Sequence, residues 1–196
     1  QKLAALGDVY VNDAFGTAHR AHASTTIVAN SFDKKNKCFG FLMEREIENA
    51  NRVIKNPEKP VTCVVGGAKV SDKIVLLERF LDFADNIIVG GAMAYTFMLA
   101  KKGTVGTSLV EPDRVKAAKE FLKKAKAAGV KVLLPKDSVC GDKFAADAAV
   151  QVFPSHQIPD GWMGLDIGPA AAKAYARVIR QSKTIIWNGP MGVFEM

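Results

Sequence analysis

Four short runs rich in β-branched apolar residues constrain the fold most, because apolar and polar residues do not alternate within them. The runs cover residues 61–65, 86–89, 130–134 and 184–187. Strands buried on both faces have this pattern, and they occur in parallel sheets with helices on both sides. Around the runs, apolar residues recur with a helical period. The predicted helices cover residues 44–55, 70–83, 92–100, 113–128 and 170–180. The sequence therefore predicts an α/β fold, a parallel sheet of Rossmann-like type with helices on both faces.

Two breaks in this pattern predict a domain boundary. Residues 31–37 are polar and rich in lysine, and residues 56–60 contain two prolines that end a helix before the following strand. The helix between these breaks is placed where it could join two domains. An ordinary surface helix within one domain is the alternative that the pattern leaves open.

The stretch from residue 135 to residue 167 has no clear period. We predict irregular structure there, with short strands near Ser138 and Val150. The overlapping segment 161–169 is rich in glycine with apolar neighbours, and a loop of this kind could receive a flat base. This signal is not specific by itself.

Composition narrows the class of protein. The three cysteines are far apart and form no CxxC pair, so neither a disulfide framework nor a zinc site is supported, and a reducing compartment such as the cytoplasm is expected. No apolar run approaches the ~18–20 residues of a membrane span. The formal net charge of +7 indicates an affinity for anions. The lysines lie mainly on predicted helix faces without interleaved aromatic residues, which argues against a nucleic-acid-binding module.

Three predicted strands end in turns that contain glycine, and such turns are candidates for a ligand site. They contain Gly66 and Gly67, Gly90 and Gly91, and Gly189 directly after Asn188. In open parallel sheets, ligands bind beyond the carboxyl ends of the strands, where glycine lets a ligand approach the backbone. Neither GxGxxG nor GxxxxGK with Ser or Thr after it follows any of these strands. Nicotinamide-dependent dehydrogenases and P-loop proteins are therefore disfavoured.

Lys69 and Lys73 are the candidate phosphate ligands beside the first turn. They are four residues apart at the start of a predicted helix, so they are expected to project to the same side. Like charges at this spacing repel, and cations oppose the dipole at a helix N-terminus, each at a cost of a few tenths of a kcal/mol. A bound phosphate would compensate both effects. The alternative is that both lysines are solvated and Asp72 neutralises the local charge.

A second candidate anion site surrounds Arg20. His19 and His22 flank it, but no third ligand lies at a spacing that favours a metal. An arginine grips a carboxylate or phosphate with two parallel hydrogen bonds, although a surface loop explains this segment equally well. Near the end of the chain, the carboxylate of Glu195 could accept hydrogen bonds from ribose hydroxyls.

Five stretches together resemble the phosphoglycerate kinase family, in that family's order and across nearly the whole chain. They are residues 8–22, 40–44, 66–73, 161–169 and 187–195. The resemblance implies a two-domain, hinge-bending kinase with its active site in the cleft. It implies that residues 1–39 end the amino-terminal, phosphoglycerate-binding domain, residues 40–56 form the interdomain helix, and residues 57–196 form part of the nucleotide-binding domain. The implied reaction, in glycolysis, gluconeogenesis or carbon fixation, transfers a phosphoryl group between 1,3-bisphosphoglycerate and ADP, giving 3-phosphoglycerate and ATP.

The resemblance also implies roles for individual residues. Lys69 would neutralise the phosphoryl group in flight, Lys73 would hold the nucleotide phosphates, and His19 and Arg20 would hold the phosphoglycerate. The positions that match the adenosine site are Gly67, Ala68, Gly90, Gly91, Gly164, Asn188, Gly189 and Glu195. Magnesium would be carried with ADP or ATP, and no residue of this chain is expected to bind it directly. The protein is expected to be a cytoplasmic monomer with no membrane or nucleic-acid partner.

Two parts of the family's pattern are missing from the sequence. An arginine-rich region that supplies most phosphoglycerate contacts would lie upstream of Gln1, and a Gly-Gly-Asp loop that holds magnesium would follow Met196. The chain also opens without a methionine. These features predict a partial chain that has no kinase turnover alone. A truncated, inactive relative that keeps only nucleotide binding is the alternative.

Overall fold

The structure is a computed structural model that describes residues 2–195. These residues form two compact units, which separate between Pro57 and Glu58. Within the described residues, every helix is too short or too polar to cross a bilayer.

The first unit contains one small parallel sheet and one long helix. The strand β1 (Tyr10–Asn12) pairs with β2 (Lys37–Phe39), and the helix α1 (Phe41–Lys55) follows. The connections are short 3₁₀ or π turns at Ala4–Leu6, Phe15–Thr17, Ala23–Ile27, Val28–Ser31 and Lys34–Asn36.

The helix α1 begins at Phe41, three residues before its predicted start, and its cap explains the difference. Gly40 stands at the cap position and has no side chain that could accept an N–H. Asp13 supplies the acceptor from 30 residues away, because the N–H of Met43 donates to its Oδ1 at 2.9 Å. A Cβ on Gly40 would overlap the Asp13 carboxyl group, so the cap requires glycine at this position.

The second unit contains strands and helices in alternation, except for five consecutive strands between its last two helices. In chain order, its elements are β3 (Val61–Val65), α2 (Ile74–Phe80), β4 (Asn86–Val89), α3 (Met93–Ala100), β5 (Thr104–Val105), α4 (Val115–Ala127, after a 3₁₀ turn at Pro112–Arg114), β6 (Lys131–Leu133), β7 (Asp137–Gly141), β8 (Val150–Pro154), β9 (Gln157–Ile158), β10 (Met163–Ile167), α5 (Pro169–Gln181) and β11 (Thr184–Asn188).

Four strands form one parallel sheet in the order β11-β3-β4-β6. This confirms the predicted α/β fold, and β3 and β4 have the predicted bounds. The chain builds the sheet from β3 through β4 to β6 and then returns to the other side of β3 to form β11. The winding therefore reverses between β3 and β11, which is the topological switch point of the sheet.

Helices pack on both faces of this sheet, as predicted. On one face, α2, α3 and α4 form the main core, where Leu77, Phe97 and Phe121 are fully buried. On the other face, Tyr175 of α5 packs against Val64 of β3. Burial of one large apolar side chain stabilises a fold by about 1.5–3 kcal/mol, so these contacts fix the sheet that carries the three glycine turns.

The strand β11 differs from the prediction that all four strands are covered on both faces. Ile185 is 45% exposed and Trp187 is 59% exposed, whereas Ile186 between them packs against the main core. Within the described residues, β11 pairs with β3 alone, so it is an edge strand. An apolar run therefore indicated a strand here, but not one covered on both faces.

The short strands predicted near Ser138 and Val150 are confirmed as β7 and β8, but the irregular structure predicted for the rest of residues 135–167 is wrong. The strands β10, β7 and β8 form an antiparallel sheet in that order, and β9 pairs with β5. The sequence pattern did not reveal this sheet because the residues of β7 that face inward are not large apolar ones. Ser138 and Cys140 are fully buried there. The hydroxyls of Ser138 and Ser155 satisfy each other at 2.7 Å, so small polar side chains replace the usual apolar signal.

Candidate functional site

The three glycine turns meet at the carboxyl ends of β3, β4 and β11, around the switch point. Three backbone hydrogen bonds join them: from the N–H of Gly66 to the oxygen of Asn188 (2.9 Å), from Gly91 to Met191 (2.6 Å) and from Met93 to Gly67 (3.0 Å). These bonds run between turns that are far apart in the sequence. The rim of the crevice is therefore one connected structure rather than three separate loops.

Most of these glycines are required by the contact between the turns. A Cβ on Gly66 would overlap the carbonyl of Pro190, and one on Gly189 would overlap the carbonyl of Gly66. Gly91 has φ of 68°, and a Cβ there would lie 2.5 Å from the oxygen of Gly67. Gly90 likewise has no room, because a Cβ would overlap the Met191 side chain. The close packing of the turns therefore explains these four glycines without a bound ligand.

Gly67 is the exception among these glycines. Its φ of 135° is a conformation that residues with a Cβ rarely adopt, yet the space beside it is open. Among the described residues, a Cβ there would meet only the Cε of Lys73, at 3.7 Å. The neighbouring Ala68 is exposed. A ligand can therefore approach the backbone at Gly67 and Ala68 without displacing another part of the protein.

Lys73 extends across the switch point. It caps α2, and its Nζ donates a hydrogen bond to Oδ1 of Asn188 at 2.5 Å. Asn188 is the last residue of β11, on the other side of the reversal in winding. One ammonium group is thereby placed at the mouth of the crevice by both neighbouring strands.

The predicted placement of both lysines on one helix needs correction. The helix α2 begins at Ile74 rather than at residue 70, and it ends at Phe80 rather than at residue 83. Residues 70–73 form a single turn, in which the N–H of Ile74 donates to the oxygen of Val70 at 2.8 Å. Lys69 precedes this turn and is exposed, and none of the side-chain hydrogen bonds or ion pairs described for residues 2–195 involves it.

Glu111 holds the turn between the two lysines, and sequence reasoning missed it. Its carboxylate accepts hydrogen bonds from the hydroxyl of Ser71 at 2.6 Å and from the N–H of Ser71 at 3.0 Å. The N–H of Glu111 in turn donates to the hydroxyl of the buried Thr96 at 3.0 Å. Burial alone would raise the pKa of Glu111, but the hydrogen bonds from Ser71, together with the N–H of Val70 and the charge of Arg114, outweigh it and lower the pKa. Glu111 thus fixes the turn before α2 from 40 residues away in the sequence.

The segment after β11 lies against β10. The N–H of Val193 donates to the oxygen of Leu165 at 2.9 Å, and a Cβ on Gly192 would overlap the Asp166 carboxylate. Two stretches that the sequence singled out therefore meet. Residues 163–167 are a strand rather than the predicted glycine-rich loop.

Gly164 and Glu195 have different surroundings from those of the crevice turns. Gly164 is buried, its N–H donates to the hydroxyl of Ser108 at 2.9 Å, and a Cβ would overlap the ring of Tyr95. Packing against Tyr95 thus explains why position 164 is a glycine. Glu195 is exposed, and its carboxylate accepts a hydrogen bond from the N–H of the adjacent Phe194 at 3.1 Å. Their proposed contacts with adenosine remain predictions.

His19 and Arg20 lie in an exposed turn of the first unit. The Nε of Arg20 donates to Nε2 of His19 at 3.2 Å, so the two side chains form a pair. The backbone N–H of Arg20 donates to the oxygen of Thr17 at 3.0 Å, and its own oxygen accepts from the N–H of His22 at 3.0 Å. The remaining guanidinium donors of Arg20 are open to solvent.

The cysteines do not provide a reactive nucleophile in the core. Burial raises the pKa of Cys63 to about 12 and that of Cys140 to about 11, so both thiols are protonated at neutral pH. Within residues 2–195, no group of three His, Cys, Asp or Glu side chains is placed to hold a metal ion.

A parallel sheet that reverses its winding beside a glycine-lined crevice defines the class of doubly wound α/β proteins, which bind their ligands at that crevice. Within this class, the family model for phosphoglycerate kinase matches residues 1–196, and the chain belongs to that family.

Individual relatives agree with this assignment. The phosphoglycerate kinase of Porphyromonas gingivalis is 50% identical over 195 residues, which cover 100% of this chain and 47% of that protein. The cytosolic phosphoglycerate kinase 3 of Arabidopsis thaliana is 54% identical, with 100% and 48% covered. The solved phosphoglycerate kinase of Coxiella burnetii superimposes with a TM-score of 0.90 at 43% identity, over 99% of this chain and 49% of that one. The chain spans about half the length of the curated relatives it matches.

Proposed function

We propose that the full-length protein containing this chain transfers a phosphoryl group between 1,3-bisphosphoglycerate and ADP, giving 3-phosphoglycerate and ATP. One observation carries the proposal. In a chain that matches the family over its whole length, Lys73 bridges the switch point to Asn188 beside the open backbone of Gly67. This is the position in a doubly wound sheet where a nucleotide phosphate is expected.

The two lysines have different tasks in this proposal. Lys73 is already oriented by Asn188, so it suits a group that is bound before and after the reaction, namely the nucleotide phosphates. Lys69 is exposed and has three ammonium donors to offer, so it suits a charge that develops in transit. Stabilisation of the transferring group by fixed cations is the main contribution a protein makes to phosphoryl transfer.

The chemical step needs no acid or base from the chain. A terminal phosphate oxygen of ADP attacks the phosphorus of the acyl phosphate and forms a new P–O bond. The P–O bond to the acyl oxygen breaks, and its electron pair leaves with the carboxylate of 3-phosphoglycerate. Atoms and charge balance without a proton transfer, so the chain has to position and neutralise the reacting groups.

The adenosine would lie along the remaining predicted positions. Gly67 and Ala68 are open to a ligand, whereas Gly90, Gly91 and Gly189 shape the rim through their contacts with other turns. In the first unit, Arg20 would bind the phosphoglycerate through its free guanidinium donors while His19 holds its Nε.

Magnesium would arrive with the nucleotide and neutralise phosphate charge there. We propose no protein ligand for it among residues 2–195. We further propose that the protein acts in the cytoplasm as a monomer. The cytosolic relatives from Nicotiana tabacum and Arabidopsis thaliana support this compartment.

The test is a coupled assay with the full-length protein, in which ATP formation from 1,3-bisphosphoglycerate and MgADP is measured. We expect turnover that requires both substrates. MgADP binding without ATP formation would instead identify an inactive relative that keeps only nucleotide binding. Absence of both binding and turnover would reject the proposal.

A further inference from the structure

A second groove lies in the second unit, at the β6 edge of the parallel sheet. Its volume is about 1340 Å³. The end of α3, the strand β6 with the loop after it, the turn between β8 and β9, and α5 form its walls. None of the predicted site residues lines it, so the proposed kinase function does not explain it.

The lysine and arginine side chains that line the groove are not matched by acidic ones. Its charged lining residues are Lys101, Lys102, Lys131, Lys136 and Arg177, and no carboxylate is among its lining residues. These five side chains are exposed and take part in none of the ion pairs or side-chain hydrogen bonds described for residues 2–195. Gathered like charges repel each other and attract anions, so the groove favours a ligand with several negative charges.

The backbone of Lys102 places one of these cations at an unusual position. The N–H of Gly103 donates to the oxygen of Met98 at 3.0 Å, and the N–H of Lys102 donates to Leu99 at 2.9 Å. These two bonds are typical of a helix end at which the residue after the C-cap has a positive φ, and glycine is preferred at that position. Here a lysine occupies it with φ of 66°. The helix dipole favours a cation near this end, but it does not require the cation at the left-handed position.

The edge strand β6 offers a ligand backbone N–H and C=O groups in addition to the cations. The N–H of Lys131 donates to the oxygen of Asp85 at 3.0 Å, so Lys131 and Leu133 direct their backbone groups towards β4. In a parallel ladder the intervening residue, Val132, then directs its N–H and C=O away from β4, to the side of the groove. Apolar lining residues, among them Leu134 and the buried Tyr175, form part of its floor.

We propose that this groove binds an extended acidic peptide segment of a partner protein, which pairs with β6 as an added strand. The peptide backbone would satisfy the N–H and C=O of Val132, its carboxylates would meet the five cations, and its apolar residues would cover the floor. A small phosphate would satisfy the cations alone. A nucleic acid has no backbone that pairs with a strand edge, so the peptide fits more of the groove.

The test uses the full-length protein and a fluorescein-labelled hexapeptide that alternates glutamate and valine, with fluorescence anisotropy as the measurement. We expect binding that the same peptide with lysine in place of glutamate does not show. The triple variant K101E/K102E/R177E should bind at least about tenfold more weakly. A matched control, K116E/K119E/K123E on exposed positions of α4 outside the groove, changes the net charge equally and should bind as the wild type does.

Two further measurements separate strand pairing from attraction of charge alone. V132P removes one N–H donor without changing charge, and proline is tolerated where an edge N–H faces outwards, so we expect several-fold weaker binding. If V132P does not fold, hydrogen exchange of the Val132 amide in the wild type should slow when the peptide is bound. Equal losses in both triple variants would overturn the proposal. Unchanged V132P affinity or unchanged exchange of the Val132 amide would overturn it as well, as would inorganic polyphosphate that displaces the peptide and protects no β6 amide.

Discussion

The two loops that carry the candidate anion ligands are held in different ways. In the second unit, the turn 70–73 is fixed by Glu111, 40 residues away, and by Asn188, 115 residues away from Lys73. In the first unit, the hydrogen bonds described for Arg20 run to residues no more than five positions away. The comparison indicates that one cation site is set by the fold of the sheet and the other by a local turn.

This difference has a consequence for binding and catalysis. Groups fixed by distant parts of a fold lose little freedom when they act, so they can stabilise a short-lived charge distribution. A locally held side chain is ordered when its ligand binds, and that ordering reduces affinity. We therefore expect Lys73, which the fold already holds, to lose little affinity to ordering when its ligand binds, whereas Arg20 has to be ordered by its substrate. Lys69 lies outside the held turn, so its expected effect on turnover follows from its proposed role and not from this comparison.

The largest effect is expected from K69A in the full-length protein. If Lys69 acts on the group in transit, kcat should fall about 10²- to 10³-fold, the size of effect that is typical when a donor that stabilises transition-state charge is removed. The dissociation constant of MgADP, measured by calorimetry, should change little. K123A on α4 is the control. A large loss of MgADP affinity with unchanged kcat would assign Lys69 to ground-state binding instead.

The next largest effect is expected from K73A. Loss of a charge-assisted contact to the nucleotide phosphates should raise KM for ADP about 10- to 100-fold. KM for the phosphoglycerate substrate should stay nearly constant, because Lys73 is bonded across the switch point to Asn188. Steady-state kinetics with each substrate varied in turn measures both. An effect confined to the phosphoglycerate KM would contradict the assignment.

R20K tests the locally held site and should have a smaller effect. Lysine keeps the charge but lacks the planar fork of donors, so KM for the phosphoglycerate should rise about tenfold. KM for the nucleotide should not change. R180K, at an exposed position on α5, serves as the control. If R20K and K73A affect the same substrate, the contrast between the two loops does not correspond to two sites.

The smallest effect is expected from E111Q, which weakens the hold on the turn without removing a cation. The charged acceptor for Ser71 becomes neutral, and kcat/KM should fall about two- to fivefold. The double variant with S71A should lose less than the sum of the two single losses, because both remove one interaction. Additive losses would show that the two residues act separately.

Because the pKa of Glu111 is lowered in the folded protein, E111Q should also change how stability depends on pH. A carboxyl group whose folded pKa is below its unfolded value stabilises the fold above the unfolded pKa, and that stabilisation is lost as pH falls through the folded pKa. Wild type should therefore be more stable than E111Q at neutral pH, and the two should converge in acid. Denaturant unfolding at several pH values measures this difference. If the difference in unfolding free energy between wild type and E111Q persists in acid, it arises from packing and not from the charge of Glu111.

The sequence predicted the parallel sheet because its central strands are buried on both faces. Val61–Val65 is buried throughout, and a continuous apolar run is the direct result. In the antiparallel sheet, the strands near Ser138 and Val150 were predicted but their pairing was not, because Ser138 faces inward and its hydroxyl pairs with that of Ser155. Such a pairing depends on tertiary contact and leaves no period in the sequence.

The sequence pointed to the glycines and lysines of the candidate site, but not to the residues that hold them in place. The start of α2 depends on Glu111, whose distance from Ser71 along the chain gives no local signal. The close approach between Gly66 and Pro190 is likewise visible only after β3 and β11 are adjacent. Sequence patterns thus predicted which residues could bind an anion, and that binding stays a prediction, whereas the contacts that orient these residues arise from the fold.

The edge position of β11 gives the protein an optical reporter. Trp187 is more than half exposed, and its indole N–H donates to the carbonyl of Gly189 at 2.9 Å. The only other tryptophan, Trp162, packs against Phe153 with ring centroids 5.2 Å apart. A change in the turn that follows β11 would therefore shift the emission of one indole while the other stays constant. W162F would leave Trp187, beside the rim of the crevice, as the single tryptophan of this chain, and its emission would follow ligand binding without an added label.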